Sequence, residues 1–375
     1  MEKLSFQVEK SDFLSVLEDV SNVVERRTTL PILSNILLTA SDDKIDILGS
    51  DLELQITSSI VPKNSQQRGS VAVAAHKLLS IVRLMPEGVI SMLTDGGGKI
   101  RVSGGTGSVS LRTLPAEDFP RREFSVKQDI SFCLQQALLL EMLTRVYFAM
   151  ARDDIRYMLN GAYFRIDGQK LEIAACDGHR LATCTVPAEI SCDQILEFIL
   201  PRKTVHQLLR LLSAKEEIID IQITSDKSVT FSIAKTDLTS NFVNGRYPDY
   251  RRAIPPETKM EATVSRGQLL SALQRVQLLN TNTWSGARLK IKQGMIEISV
   301  TNSLEEHAHE QIEATYAYGD IDMSFNTSYL IDSLSHLKTE FVKLNFNPDH
   351  RALLVKAPEN PSNLDAVNVI MGLRD

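Results

Sequence analysis

Ile47–Ile56 reads ILGSDLELQI, Ile173–Ala182 reads IAACDGHRLA and Ile298–His307 reads ISVTNSLEEH. Each is an apolar, strand-like run that reaches an Asp or Asn and then continues past it. The three runs begin 126 and 125 residues apart. Self-similarity at a fixed long period decides an architecture before any motif does, and this offset recurs along the chain. Leu33–Leu38 (LSNILL) aligns with Leu159–Phe164 (LNGAYF) at 126, and that segment aligns with Ser285–Leu289 (SGARL) at 125. Phe119-Pro120 and Tyr247-Pro248 stand 128 apart. The helical pattern Leu14, Leu17, Val20 returns as Leu140, Leu143, Val146 and as Leu270, Leu273, Val276.

Three copies of about 125 residues fill all 375 positions, and each is long enough for its own core. A first helix is expected over about 11–25, 134–148 and 265–279, where apolar residues recur at helical spacing. A second is expected over about 76–85, 202–212 and 327–337. Short alternating strands lie between, such as Lys44–Leu48 and Leu171–Ala175, with turn signals at Asp95-Gly96-Gly97-Gly98 and Ser225-Asp226-Lys227. Each copy therefore reads as an α+β unit, two helices packed on a largely antiparallel sheet, and not as a doubly wound parallel sheet. The expected domains are 1–125, 126–253 and 254–375. Charged, Pro-bearing crossings lie at Pro115–Val126 and Tyr247–Glu257.

Lys and Arg number 41 against 47 Asp and Glu, a net charge of −6 that excludes a wholly basic nucleic-acid binder but not a local basic face. The four cysteines, Cys133, Cys176, Cys184 and Cys192, include no CxxC pair, so neither a zinc site nor a disulfide scaffold is expected. Residues 1–10 have no apolar h-region, and no later stretch reaches 18 uninterrupted apolar residues, which reads as a soluble, cytoplasmic protein. No HExxH, GxSxG or complete P-loop is present; Gly96-Gly97-Gly98-Lys99 lacks the spacing and the following Ser or Thr.

Thr29–Asn35 (TLPILSN), Leu114–Pro120 (LPAEDFP), Arg156–Gly161 (RYMLNG), Asp177–Ala182 (DGHRLA), Gly245–Arg252 (GRYPDYRR) and Val369–Arg374 (VIMGLR) stand in order on this threefold repeat. With them the whole chain resembles the bacterial sliding clamps, the beta subunits of DNA polymerase III. The resemblance implies a non-catalytic, DNA-encircling processivity factor with no cofactor and no metal. It implies a head-to-tail homodimer whose six domains form a ring lined by twelve helices. Helices pack 8–10 Å apart, so that lining has a circumference on the order of 110 Å and a diameter of roughly 35 Å, enough for hydrated duplex DNA.

The resemblance also implies sites. A peptide pocket for short motifs of polymerases, the clamp loader and repair proteins would use Leu159, Cys176, Gly178, His179, Arg180 and Leu181. Pro248, Arg252 and Ala253 would join from GRYPDYRR, and Asn326, Tyr329, Val369, Ile370 and Met371 from the third copy. Cys176, Ala253 and Gly372 stand where the family often has Thr, Val and Pro, so peptide preference is open. Trp284 stands where the family often has Phe, at the pocket rim or in the core. Deleting Asn368–Asp375 is expected to abolish binding of short peptides bearing Leu or Phe, by removing one pocket wall, and to leave the ring intact. DNA phosphates would meet Arg27, Lys77, Arg83, Arg152, Arg202, Lys203 and Arg210. Subunits would meet through Val109 and Leu111 at one end and Leu278 and Leu279 at the other.

The helix charges agree with a weakly basic lining. The second helices carry Lys77, Arg83, Arg202, Lys203 and Arg210 against Asp332 alone. The first helices of copies two and three carry Arg145, Arg266 and Arg275 against Glu141, while copy one departs with Asp12, Glu18, Asp19 and Glu25 before Arg26 and Arg27. Ten cations thus oppose six carboxylates in an acidic chain. Two rival readings stay open. Asp177 with His179 could be an acid–base fragment of a hydrolase, although the counterparts in the other copies carry no His there. A peptide-binding adaptor with no DNA role would share the pocket but not the dimer.

Overall fold

Apolar side chains three and four residues apart place a helix on a sheet in every copy. The structure is a computed structural model and describes residues 3–25, 29–121, 128–188, 190, 194–280, 286–359 and 364–373. Its helices are α1 (Lys10–Ser21), α2 (Ala75–Leu84), α3 (Gln136–Val146), α4 (Arg202–Leu211), α5 (Arg266–Gln277) and α6 (Thr327–Ser335). The buried stripe is Phe13, Val16, Leu17 and Val20 in α1, Leu139, Met142, Leu143 and Val146 in α3, and Leu269, Ala272, Leu273 and Val276 in α5. That is the i, i+3, i+4, i+7 pattern. Leu14, Leu140 and Leu270 are half-buried at its edge. A count at i, i+3 and i+6 therefore catches two residues of each stripe and one on its flank.

Strand, helix, four strands, helix, three strands is the order in each copy. In the first it runs Ser5–Glu9, α1, Asn35–Ala40, Ile45–Ser50, Leu54–Ile60, Gly69–Ala74, α2, Val89–Thr94, Lys99–Gly104 and Gly107–Pro115, with one additional short strand, Asn64–Gln67. In the second it runs Gln128–Gln135, α3, Gly161–Ile166, Lys170–Cys176, Arg180–Pro187, Leu196–Pro201, α4, Ile218–Thr224, Ser228–Ile233 and Thr236–Asn241. In the third it runs Glu261–Ser265, α5, Gly286–Lys292, Met295–Thr301, His307–Thr315, Ile321–Asn326, α6, Phe341–Asn347, Ala352–Lys356 and Asp365–Met371. Burial alternates along the strands, as in Leu54–Ile60, where every second side chain is buried.

The Asp or Asn of the three opening runs closes the same hairpin each time. Asp51 Oδ1 accepts the N–H groups of Glu53 (3.0 Å) and Leu54 (2.7 Å). Asp177 Oδ1 accepts those of His179 (2.9 Å) and Arg180 (3.0 Å). Asn302 Oδ1 accepts those of Leu304 and Glu306, both at 3.0 Å. A short side chain with a carbonyl-type oxygen can satisfy such turn donors, which is why Asp and Asn recur. The third turn is one residue longer, because the N–H of Asn302 reaches Glu306 where Asp51 and Asp177 reach Leu54 and Arg180.

The chain divides into two compact units, Met1–Leu139 with His206–Phe242, and Leu140–Val205 with Val243–Asp375. A sheet of thirteen strands runs through the first and one of twelve through the second. Within the first unit, Thr236–Asn241 pairs antiparallel with Leu54–Ile60, setting Ser240 opposite Leu54 and Leu238 opposite Ile56. Within the second unit, Asp365–Met371 pairs antiparallel with Arg180–Pro187, setting Ile370 opposite Arg180 and Asn368 opposite Ala182. One rule thus joins successive copies: the last strand of a copy adds to the fourth strand of the copy before it.

Gly161 of RYMLNG has a packing reason. A Cβ there would lie 2.5 Å from the Leu200 carbonyl oxygen and 2.9 Å from Ile199 Cγ2 on the paired strand. Gly161→Ala is expected to destabilise the second unit by about 1–3 kcal/mol through overpacking, seen as a lower calorimetric melting temperature. An unchanged melting temperature would show that the two strands part without cost.

Candidate functional site

The turn Asp177–Arg180 organises a site in the second unit. Gly178 has φ +91°, a backbone conformation that favours glycine, and a Cβ on it would lie 3.0 Å from Arg156 Nη2, a tight contact that the guanidinium would have to relieve. Arg156 is held by Asp154 (3.0 and 2.8 Å) and reaches the Asp177 carbonyl at 3.3 Å. Hydrogen bonds from Arg156 hold the Asp154 carboxyl down at about 2. Arg180 donates from Nε to Asp177 Oδ2 (3.0 Å) and from Nη1 to Asp332 Oδ2 (2.6 Å). Its guanidinium carbon lies 4.4 Å from the Tyr329 ring centre, a cation–π distance.

This arrangement bears on the hydrolase reading. Both Asp177 oxygens are occupied, one by two backbone N–H groups and the other by Arg180. The His179 imidazole lies over Tyr329, ring centroids 6.4 Å apart. Asp177 therefore orders a turn and does not orient His179 as a base. Among the described residues, no group of three or more His, Cys, Asp or Glu side chains is placed to hold a metal.

An apolar floor lies beside the turn. Leu159, Leu181, Val369, Tyr247, Tyr250 and Ala352 are buried in one cluster, with Cys176 packed against it. The Tyr247 hydroxyl accepts the Cys176 N–H at 2.9 Å and stands 3.5 Å from Cys176 Sγ. Burial pushes the Tyr247 hydroxyl well up and raises the Cys176 thiol, so both remain uncharged at neutral pH.

Over this floor opens a cleft of about 510 Å³. It brings together Leu159, Cys176, Gly178, His179, Arg180, Leu181, Pro248, Arg252, Ala253, Val369 and Met371. Three other expected residues stand apart from its lining. Ile370 is 1% exposed and belongs to the core of the third copy, since neighbours in a strand face opposite ways. Asn326 caps α6, its side-chain oxygen accepting the Ser328 N–H at 3.0 Å. Tyr329 lines an adjoining, more polar depression of about 550 Å³ with Arg152, Arg202 and His336.

Arg156, Asp249, Tyr250, Pro255, Pro256 and His350 also line the cleft, and the sequence reading omits them. Arg156 and Tyr250 lie inside the quoted motifs RYMLNG and GRYPDYRR, so a signal was at hand. His350 sits in a hairpin of the third copy with no motif around it. The tail also differs from expectation. Asp365–Met371 pairs with Arg180–Pro187 on one side and Ala352–Lys356 on the other. Deleting Asn368–Asp375 would therefore tear out most of an interior strand and not just a wall. The Gly372 N–H donates to the Arg351 carbonyl, a bond that proline, lacking an N–H, could not form.

The candidate phosphate contacts vary in availability. Lys77, Arg83, Arg152 and Arg210 are exposed, and Arg202 and Lys203 are half-buried. Arg27 and Trp284 lie outside the described residues, as do Cys192 and the Arg374-Asp375 end. Arg202 donates to the carbonyls of Met150 (2.9 Å) and Ala151 (3.4 Å); burial, then the cations Arg152 and Arg180, lowers its proton affinity. The sequence charge tally overcounts free cations. Arg145 is 4% exposed and bonded to Glu141, Arg275 is bonded to Glu310, and Arg83 to Glu18. Of the candidate subunit contacts, Leu278 is 83% and Val109 40% exposed. Leu111 and Leu279 are half-buried, the latter packed against the core of the third copy.

Three models of one family match in succession: DNA polymerase III beta subunit, N-terminal domain over residues 4–123, central domain over 133–249 and C-terminal domain over 251–374. The beta sliding clamps of Pseudomonas aeruginosa and Escherichia coli K12 are each 32% identical over 371 residues, covering 99% of this chain and 100% of theirs. A crystal structure of the Pseudomonas aeruginosa clamp bound to griselimycin superposes with a TM-score of 0.93 at 32% identity, covering 99% of both chains. The Bacillus subtilis clamp does so with a TM-score of 0.91 at 26% identity, again over 99% of both. With its threefold repeat, its strand-joined copies and a family match over nearly every residue, the chain belongs to the DNA polymerase III beta subunit family, the beta sliding clamps.

Proposed function

We propose that this chain is a non-catalytic DNA sliding clamp of the cytoplasm. Two copies join head to tail into a ring of six domains, with boundaries 1–125, 126–253 and 254–375 in each. The ring encircles duplex DNA, confers processivity on the replicative polymerase and docks polymerase, clamp loader and repair proteins at the cleft.

The observation that carries the ring is a strand pairing left open at each end. Successive copies join last strand to fourth strand. Two such strands lack this pairing. Gly107–Arg112 of the first copy's last strand pairs only with Lys99–Gly104, and His307–Glu313 of the third copy's fourth strand only with Met295–Thr301, among the described residues. Each edge is the complement that the other needs, and a bare edge invites addition of a strand. A second copy supplies both, and the contact closes after two. Val109 and Leu111 lie on one edge, and Leu278 ends α5, which packs against the other.

In the cleft, Leu159, Leu181 and Val369 form the floor for Leu or Phe anchors of a linear motif, with His179, Arg180 and Arg252 as polar handles. Met371, 39% exposed, is an apolar wall residue at the rim. Met371→Ala is expected to weaken a fluorescent peptide with Leu and Phe anchors by about 1–2 kcal/mol, roughly five- to thirtyfold. Unchanged affinity by anisotropy would overturn the docking assignment. In the lining, Arg27, Lys77, Arg83, Arg152, Arg202, Lys203 and Arg210 make sequence-independent phosphate contacts.

A further inference from the structure

We infer that the contact between copies is a proton-sensitive latch, with His307 and His309 of one copy set against a cationic face of the next. The inference rests on the head-to-tail reading above and adds to it a register and a response to pH.

The register follows from the two junctions inside the chain. Ser240 stands opposite Leu54 in one and Ile370 opposite Arg180 in the other. Leu54, Arg180 and Glu306 are equivalent, because each closes its turn on the N–H of Asp51, Asp177 or Asn302. Ser240, Ile370 and Leu111 are equivalent too, lying opposite Val229, Leu353 and Ile100 in their own hairpins. The open junction therefore sets Leu111 of one chain opposite Glu306, in the third copy of the other chain. By antiparallel pairing, Ser110 then faces His307, Val109 faces Ala308, Ser108 faces His309 and Arg112 faces Glu305.

The two faces separate by chemistry. Glu310 and Ile312 turn towards α5, where Glu310 holds Arg275 at 2.7 and 2.6 Å. His307 and His309 are exposed on the opposite face. Within their own sheet they stand opposite Thr301 and Ser299, which carry no charge. Glu305 and Glu306 flank His307, and Glu310, adjacent to His309 and within its electrostatic reach, is held chiefly by its hydrogen bonds from Arg275. Across the junction Ser110 is itself paired with Arg101, Ser108 with Ser103 and Arg112 with Lys99. On this face three cations (Lys99, Arg101, Arg112) thus meet one carboxylate, Glu305, because Glu306 turns the other way by strand alternation and its carboxylate accepts from Asn302 Nδ2 at 2.6 Å. Two imidazolium charges would add to an existing positive excess, and like charges placed across strands destabilise the pairing.

The sign follows from linkage. A protonated imidazole is disfavoured in the assembled contact, so the dimer binds fewer protons than two monomers and loses affinity as pH falls through the imidazole range. At pH 5.5 side-chain carboxylates remain largely ionised, so the effect separates from general acid unfolding.

Sedimentation of the full chain at pH 8.0 and pH 5.5, with circular dichroism at both, tests this. The wild-type dimer is expected to weaken at least about tenfold between them, the equivalent of one unit of proton-affinity difference. His307→Gln with His309→Gln should remove most of that change, and Arg101→Gln should reduce it, with unaltered circular dichroism. A wild-type dimer indifferent to pH, or a double variant with the wild-type response, overturns the latch while leaving the head-to-tail reading intact. A monomer at pH 8.0 overturns both.

Discussion

Protein loaded on nicked circular DNA is expected to survive a salt wash that strips ordinary phosphate binders, and to leave when the same DNA is linearised. Affinity built from many phosphate contacts falls steeply with salt. The net charge here is −6, and several helix cations are already bonded, Arg83 to Glu18, Arg145 to Glu141 and Arg275 to Glu310. Direct contact is therefore weak and retention is topological. The measurement is the residence of labelled protein on circular and cut plasmid at low and high salt. Alanine at Arg152 and Arg202 should slow loading without shortening residence on the closed circle. Residence that tracks salt identically on both forms of DNA would defeat the clamp reading.

Leu278→Lys is expected to give a folded monomer. The side chain is 83% exposed in the single chain, so a lysine costs little there. In the dimer the same position would bury an unpaired charge, at about 3–5 kcal/mol, or some hundred- to several-thousandfold in dissociation constant. Leu279 is unsuitable for the same change, because it packs against the core of the third copy and a lysine there would confound unfolding with dissociation. Sedimentation should show 41.8 kDa where the wild type shows twice that mass. A variant that sediments as the dimer, with unaltered circular dichroism, would reject Leu278 as an interface residue.

Much of this fold is legible from the chain because its repeat is carried by side chains with local work. Asp51, Asp177 and Asn302 each cap a turn, so the match between the three opening runs has a direct hydrogen-bonded cause. Helix positions emerge from spacing, displaced by one residue where Leu14 stands for Phe13. The cleft is less legible. Its floor is built from side chains far apart in sequence, and nothing local announces that His350 would line it together with Arg252. Strand alternation decides that Val369 and Met371 face the cleft while Ile370 faces the core, and tail residues read as one wall conceal it. The charge tally fails for a related reason. Arg145 and Arg275 look like surface cations until their carboxylate partners, one on the same helix and one on a neighbouring strand, are known.

The capped turn that recurs three times keeps one frame while its tip varies: Leu52-Glu53, Gly178-His179, and Ser303-Leu304-Glu305. Anchoring lies in the Asp or Asn and the strands beyond, so the tip residues can differ between copies without disturbing the joint. Only the second tip has the glycine that admits the Arg156 guanidinium and the imidazole that lies over Tyr329. A closed pair of chains would thus have six alike hinges of sheet but only two berths of this chemistry. Visiting proteins would compete for two places, and a polymerase in one would leave the other vacant for its replacement.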